Sequence, residues 1–149
     1  MINDKIQMKG TLLATLVKQD GSVEVTRKDN LIVDVGYDFI CNSIGDSKSR
    51  PSAMTHIAIG RESQAPAAGD DALIGEVHRL PASYAYKTGS KVFSFTSTFP
   101  PGSESQDAIQ EAGVFNADTG GIMLDRVVFG VINKGIDDSL TIQFSFTLS

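Results

Sequence analysis

Apolar and polar residues alternate along much of this chain with the two-residue period of a half-buried strand. The last segment shows it most cleanly: Leu140, Ile142, Phe144, Phe146 and Leu148 alternate with Thr141, Gln143, Ser145 and Thr147. In "KVFSFTSTF" (91–99), Phe93, Phe95, Ser97 and Phe99 share one face, while Val92, Ser94, Thr96 and Thr98 take the other. Near the start, "TLLATLV" (11–17) and "SVEVTR" (22–27) flank "KQDG" (18–21), whose Asp-Gly pair supplies the positive φ of a tight turn, so a hairpin is predicted there. By contrast, "IMLDRVVFGVI" (122–132) is apolar on both faces except at Asp125 and Arg126, the pattern of a central strand.

One segment changes period. Within 29–46, Ile32, Val35, Phe39, Ile40 and Ile44 recur at helical spacing, between candidate caps at Asp29 or Asn30 and the terminating Gly45. This predicts one α-helix near residues 30–45, in which Gly36 costs about 1 kcal/mol relative to alanine. "SKSRPS" (47–52) is polar and interrupted by proline, and "MTHIAIG" (54–60) reads as a strand. "RESQAPAAGDDA" (61–72) has no apolar period and is the longest expected loop, placed on the surface and free to move. "LIGEVHRL" (73–80) and "ASYAYK" (82–87) resume the strand pattern on either side of Pro81, which cannot donate to a central ladder. The predicted fold is mainly β: an antiparallel β-sandwich or flattened barrel with one helix. It divides into an N-terminal arm over 1–10 and a single β-rich domain over 11–149.

A length of 149 residues agrees with one domain that buries a real core, and a hydrophobic fraction of 41% with 21% charged residues is that of an ordinary globular protein. No apolar run approaches the roughly 20 residues of a spanning helix, and "MINDKIQMKG" lacks the apolar core of a secretory signal. The expectation is therefore a protein made in the cytoplasm, with no membrane partner. A net charge of -5 without any Lys/Arg cluster opposes attraction to phosphate, which argues against direct nucleic-acid binding. The only cysteine, Cys41, sits among Phe39, Ile40 and Ile44, where a small buried side chain is expected.

Candidate chemistry concentrates in "IQEAGVFNADTGGIMLDR" (109–126), which holds carboxylates, an arginine and a glycine-rich turn. Within it, "NADTGG" (116–121) has the residues of a hairpin loop. No Gly-Lys-Ser/Thr follows to make a phosphate loop, and the glutamate that would close a calcium shell is missing, so no cofactor or metal is expected. Glu111 enters an apolar segment, as does Glu76 in "LIGEVHRL", and each needs a partner; Arg79 and Arg126 are the natural ones. An acid/base pair of Glu76 and His78, two apart on one strand face, would be separated by about 7 Å, too far for direct contact. His56 is one polar position in an alternating strand. No Ser-His-Asp order or metal-ligand spacing is present, so no enzyme is expected.

The order "NLIVDVGYDFI", "MTHIAIG", "ALIGEVHRLP", "FSFTSTFP", "IQEAGVFNADTGGIMLDRVVF" and a final alternating strand resembles small virion structural proteins of tailed bacteriophages over roughly residues 30–148. Tail-collar and tail-fibre attachment domains carry similar runs: a strand ending in Ala-x-Gly, a Leu-x-x-Glu-x-x-Arg segment, and Glu-x-Gly-Leu-Phe before a glycine turn and an arginine-bearing strand. Here these are Ala58 to Gly60; Leu73, Glu76 and Arg79; Glu111, Gly113 and Phe115; then Gly120, Gly121 and Arg126. Val114 stands where leucine is usual.

The resemblance implies a virion protein that works by adhesion. A short acidic β-domain without repeats is what a capsid decoration (cement) protein tends to be, bound to the major capsid protein and to sister copies, with a homotrimer expected. A tail-fibre, collar or baseplate adaptor is the alternative, with tail or collar proteins as partners. A carbohydrate-binding β-sandwich, stacking sugars on Tyr37, Tyr84 and Tyr86, is a further one, weakened by the absence of tryptophan. On the adhesion reading, Ile2, Ile6 and Met8 of the arm and Arg61, Glu62, Gln64, Asp70 and Asp71 of the loop would touch partners. Glu76, Arg79, Glu111 and Arg126 would hold the fold as ion pairs.

Overall fold

The computed structural model describes residues 5–102 and 107–149. Among them the chain forms ten strands and one helix. In chain order these are β1 (Met8–Val17), β2 (Val23–Asp29), β3 (Leu31–Ile32), α1 (Asp34–Gly45), β4 (His56–Gly60), β5 (Glu76–Pro81), β6 (Ser83–Tyr86), β7 (Val92–Phe99), β8 (Asp107–Phe115), β9 (Met123–Lys134) and β10 (Ser139–Leu148). One sheet runs β2-β1-β10-β7-β6 and the other β3-β9-β8-β4-β5, every neighbouring pair antiparallel. The fold is a β-sandwich with one helix.

The first sheet follows from the alternating pattern. Register pairs Leu12 with Phe144, Ala14 with Ile142 and Leu16 with Leu140, so all six point into the core together. Phe144 pairs with Phe95, and Phe146 pairs with Phe93 and stacks on it at 5.2 Å between ring centroids. Complete burial of side chains this size stabilises by about 1.5–3 kcal/mol each. The opposite face carries Thr15, Thr141, Gln143, Ser145, Ser94, Thr96 and Thr98, half-exposed or exposed.

The second sheet is covered on both faces. Ile57, Ile59, Ala112, Val114 and Leu124 belong to the core between the sheets, while Ala58, Phe115 and Met123 pack with Val33 and Leu73 on the other side. The cover on that far side comes from the segment between β4 and β5. Helix α1 plugs one end of the sandwich: Phe39 and Ile40 pack against the core, and a Cβ on Gly36 would lie 2.1 Å from the Leu124 carbonyl oxygen. The glycine that weakens the helix is what lets it approach β9.

Several expectations are corrected. The helix starts at Asp34, capped by Val33 without a side-chain hydrogen bond, because Asp29 ends β2 and the Asn30 side chain reaches Asp125 instead. Ile32 lies in β3, and Cys41 and Ile44 are exposed, since only the Phe39 and Ile40 side of the helix meets the core. β1 takes in Met8, Lys9 and Gly10, and Gln7 exchanges two backbone hydrogen bonds with Ser149, so this part of the segment read as an arm belongs to the sheet. Ile2 lies outside the described residues.

Candidate functional site

The residues singled out around 109–126 form two arginine clasps on the outer face of the second sheet. Glu111 on β8 lies opposite Val128 of β9, and both its side chain and that of Arg126 are fully buried. Arg126 Nε donates to Glu111 Oε1 at 3.1 Å, its Nη1 to Asp70 Oδ2 at 3.1 Å and its Nη2 to the Gln64 carbonyl at 3.0 Å. Glu111 also accepts from three backbone N–H groups: Ile74 at 3.0 Å, Gly75 at 2.7 Å and Glu62 at 3.1 Å. A buried carboxylate is tolerated when its lone pairs are taken up in this way, because the hydrogen bonds and the guanidinium replace the lost water. Gly60 makes room for the arrangement: a Cβ there would fall 2.6 Å from Glu111 Oε2 and 2.7 Å from the Gly75 carbonyl oxygen.

The 61–72 loop, expected to be free, is fastened down by this network. Asp70 accepts from Ala67 N–H as well as Arg126, and the Ala68 carbonyl accepts from Asp34 N–H at the start of α1. Arg61 forms an ion pair with the buried Asp107, Gln110 donates to the Arg61 carbonyl, and Glu62 Oε1 accepts from the Ser63 and Gln64 N–H groups. Of the loop residues assigned to partner contact, Arg61 and Asp70 spend their side chains on Asp107 of β8 and Arg126 of β9, Glu62 spends its own within the loop, Gln64 spends its carbonyl, and Asp71 is exposed.

The second clasp holds the 116–121 turn. Arg79 Nη1 donates to the carbonyls of Ala117 at 3.0 Å and Gly120 at 2.8 Å, and its guanidinium lies 3.8 Å from the centroid of the Phe115 ring. Its Nε and Nη2 grip Glu76 in a fork at 3.0 and 2.6 Å. Glu76 and Arg79 are three apart, which would set them on opposite faces of a regular strand. Register shifts here: Ile59 pairs with His78 but Gly60 with Glu76, so Val77 is an extra residue that flips the alternation. The same bulge separates Glu76 from His78, whose ring meets Phe99 edge-on at 5.3 Å, so the two do not share a face. Gly120 and Gly121 take positive φ, and the Asn116 side chain closes the turn by accepting from Ile122 N–H at 2.7 Å.

Sequence reading missed Asp125. It lies fully buried between the sheets, where it accepts from Asn30 Nδ2 at 2.6 Å and Val114 N–H at 3.1 Å. Burial pushes its carboxyl well above the ordinary value, and the single backbone hydrogen bond only partly opposes this. Asp125 and Arg126 are adjacent on β9 and so face opposite ways, Asp125 between the sheets and Arg126 on the outer face. Among the described residues no group of three metal-ligating side chains occurs. An apolar cleft of about 600 Å³ opens at the helix-plugged end, lined by Met8, Phe39, Ile40, Tyr84, Phe93 and Leu124 among others. Ile6, by contrast, is exposed beside Lys91, Leu148 and Ser149.

No protein-family model, curated protein or solved structure matches this chain. No helix of the described residues is long and apolar enough to cross a membrane.

Proposed function

We propose that this protein is a structural component of a tailed-phage virion, a capsid decoration protein that binds the major capsid protein and sister copies. The observation that carries the reading is where the motif residues go. Glu111, Gly60, Leu73 and Arg126 build the first clasp and its cover, and Glu76, Arg79, Phe115 and Gly120 build the second. The run of motifs that resembles phage attachment domains is thus spent on fastening loops to a sheet. A rigid scaffold of this kind suits a protein that acts by holding on. Many copies, each with a modest contact, resist internal pressure together because linked contacts multiply.

The motif order also favours a second reading, a tail-fibre, collar or baseplate adaptor. Quantitative mass spectrometry of purified virions, measured against the major capsid protein, separates the two. Hundreds of copies per particle are expected for decoration, and a handful assigns the protein to the tail. Absence from particles overturns both.

A further inference from the structure

β2 is the outermost strand of its sheet, with no strand on its far side among the described residues. Its hydrogen-bond phase is fixed by the hairpin with β1. Lys18 N–H donates to the Ser22 carbonyl at one end, and Asn30 N–H donates to the Gly10 carbonyl at the other. Alternation in an antiparallel ladder then turns the N–H and C=O groups of Glu24, Thr26 and Lys28 towards β1. Those of Val23, Val25, Arg27 and Asp29 are left facing outward.

Side chains follow the same alternation. Glu24, Thr26 and Lys28 pair with Leu16, Ala14 and Leu12, so they point to the core side of the sheet, yet Glu24 and Lys28 remain exposed. Val23 and Val25, on the other side, are 57% and 55% exposed. Glu24 has only a loose contact with Lys18, at 3.6 Å, and Lys28 makes no ion pair among the described residues.

We infer that β2 pairs with β2 of a second copy of this chain, antiparallel about a twofold axis at Thr26. Three registers bring outward-facing groups together near the strand centre. Centring on Val25 sets Glu24 against Thr26 and leaves Lys28 without an opposite charge. Centring on Arg27 stacks two guanidinium groups. Centring on Thr26 pairs all seven residues of the strand, joins Val25 to Arg27 and Val23 to Asp29 through backbone bonds, and sets Glu24 across from Lys28 twice. Charges on the core side of an edge strand ordinarily discourage pairing. Here Glu24 and Lys28 on that side and Arg27 on the other together favour one register, and the result is a continuous ten-stranded sheet across two copies.

This names one surface for the self-association in the reading above and fails separately from it. A monomeric protein found in hundreds of copies per virion overturns the pairing and leaves the virion reading standing. The test is sedimentation equilibrium of the full chain up to about 1 mM, where weak pairing is measurable. A monomer–dimer equilibrium is expected. Lys28→Glu and Glu24→Lys each turn two attractive cross-strand contacts into repulsive ones and should weaken dimerisation by about tenfold or more. Both sites are exposed, so the melting temperature should not move. An equimolar mixture of the two variants restores opposite charges at both positions and should form a heterodimer at least as tight as the native dimer. Val25→Pro removes an outward N–H without touching the β1 ladder and should also yield monomer. A monomer at the highest concentration, a trimer, a dimer indifferent to the charge variants, or single variants that do not complement each other would each overturn the inference.

Discussion

Glu111→Gln is the most informative change at the first clasp, because it alters charge and hydrogen bonding while preserving shape. Each carboxylate oxygen of Glu111 accepts two bonds: Oε1 from Ile74 N–H and Arg126 Nε, Oε2 from the Gly75 and Glu62 N–H groups. An amide has one acceptor oxygen, so either orientation of the glutamine turns an NH2 group towards two donors. Two hydrogen bonds are lost in a site with no exposed surface, and Arg126 keeps only Asp70 as a counter-charge. A buried group left unsatisfied costs about 1–3 kcal/mol, so the two together cost about 2–6 kcal/mol. For a chain of this length that lowers the melting temperature by roughly 10 °C. Calorimetry measures the drop, and amide exchange should show Glu62, Ile74 and Gly75 losing protection ahead of the core strands. Glu76→Gln is the control: its side chain is 33% exposed, solvent screens the pair with Arg79, and the cost should stay below about 1 kcal/mol. If Glu111→Gln melts within about 2 °C of the native protein, or no more than Glu76→Gln does, the first clasp does not hold the loop.

The remaining predictions concern single buried contacts. Asp125 has a carboxyl raised by burial, so the folded state holds its proton more tightly than the unfolded chain; the stability it confers is full below the unfolded value near 3.8 and is lost as pH rises through the folded value. Asp125→Asn should flatten that decline and stabilise at neutral and alkaline pH, since Asn30 Oδ1 has no partner and can accept from the new amide; a melting profile as steep as the native one refutes this. Gly36→Ala should destabilise by about 1–3 kcal/mol despite alanine's helix propensity, because the Leu124 backbone cannot give way, whereas Gly45→Ala, with nothing within 4 Å of the added Cβ, should be neutral or stabilising; denaturant midpoints decide. Arg79→Lys keeps the charge but loses the fork on Glu76 and one or both turn carbonyls, so exchange and proteolysis should rise within 116–121 while the 61–75 amides stay protected.

The alternating strands were legible because one face of the first sheet meets water. Nothing local identified what covers the second. The composition of 61–72 marks it correctly as a loop, but its order comes from Arg126, 56 residues from Asp70 and 62 from Gln64, and a window of sequence contains no such pairing. Asn30 has the chemistry of a helix cap and is used instead by Asp125, 95 residues away. Glu76 and Arg79 meet only because Val77 is bulged, which no hydropathy pattern records. What the sequence did carry was a conflict: Glu111 and Arg126 stand at positions that a strand buried on both faces should fill with apolar side chains. Charges at such positions cannot be left dry without partners. Their presence therefore demands a polar layer above the sheet, and the long loop that enters and leaves beside Gly60 and Gly75 supplies it with backbone donors and a carbonyl. The ion pair and the loop are one feature, and neither has a reason to be there without the other.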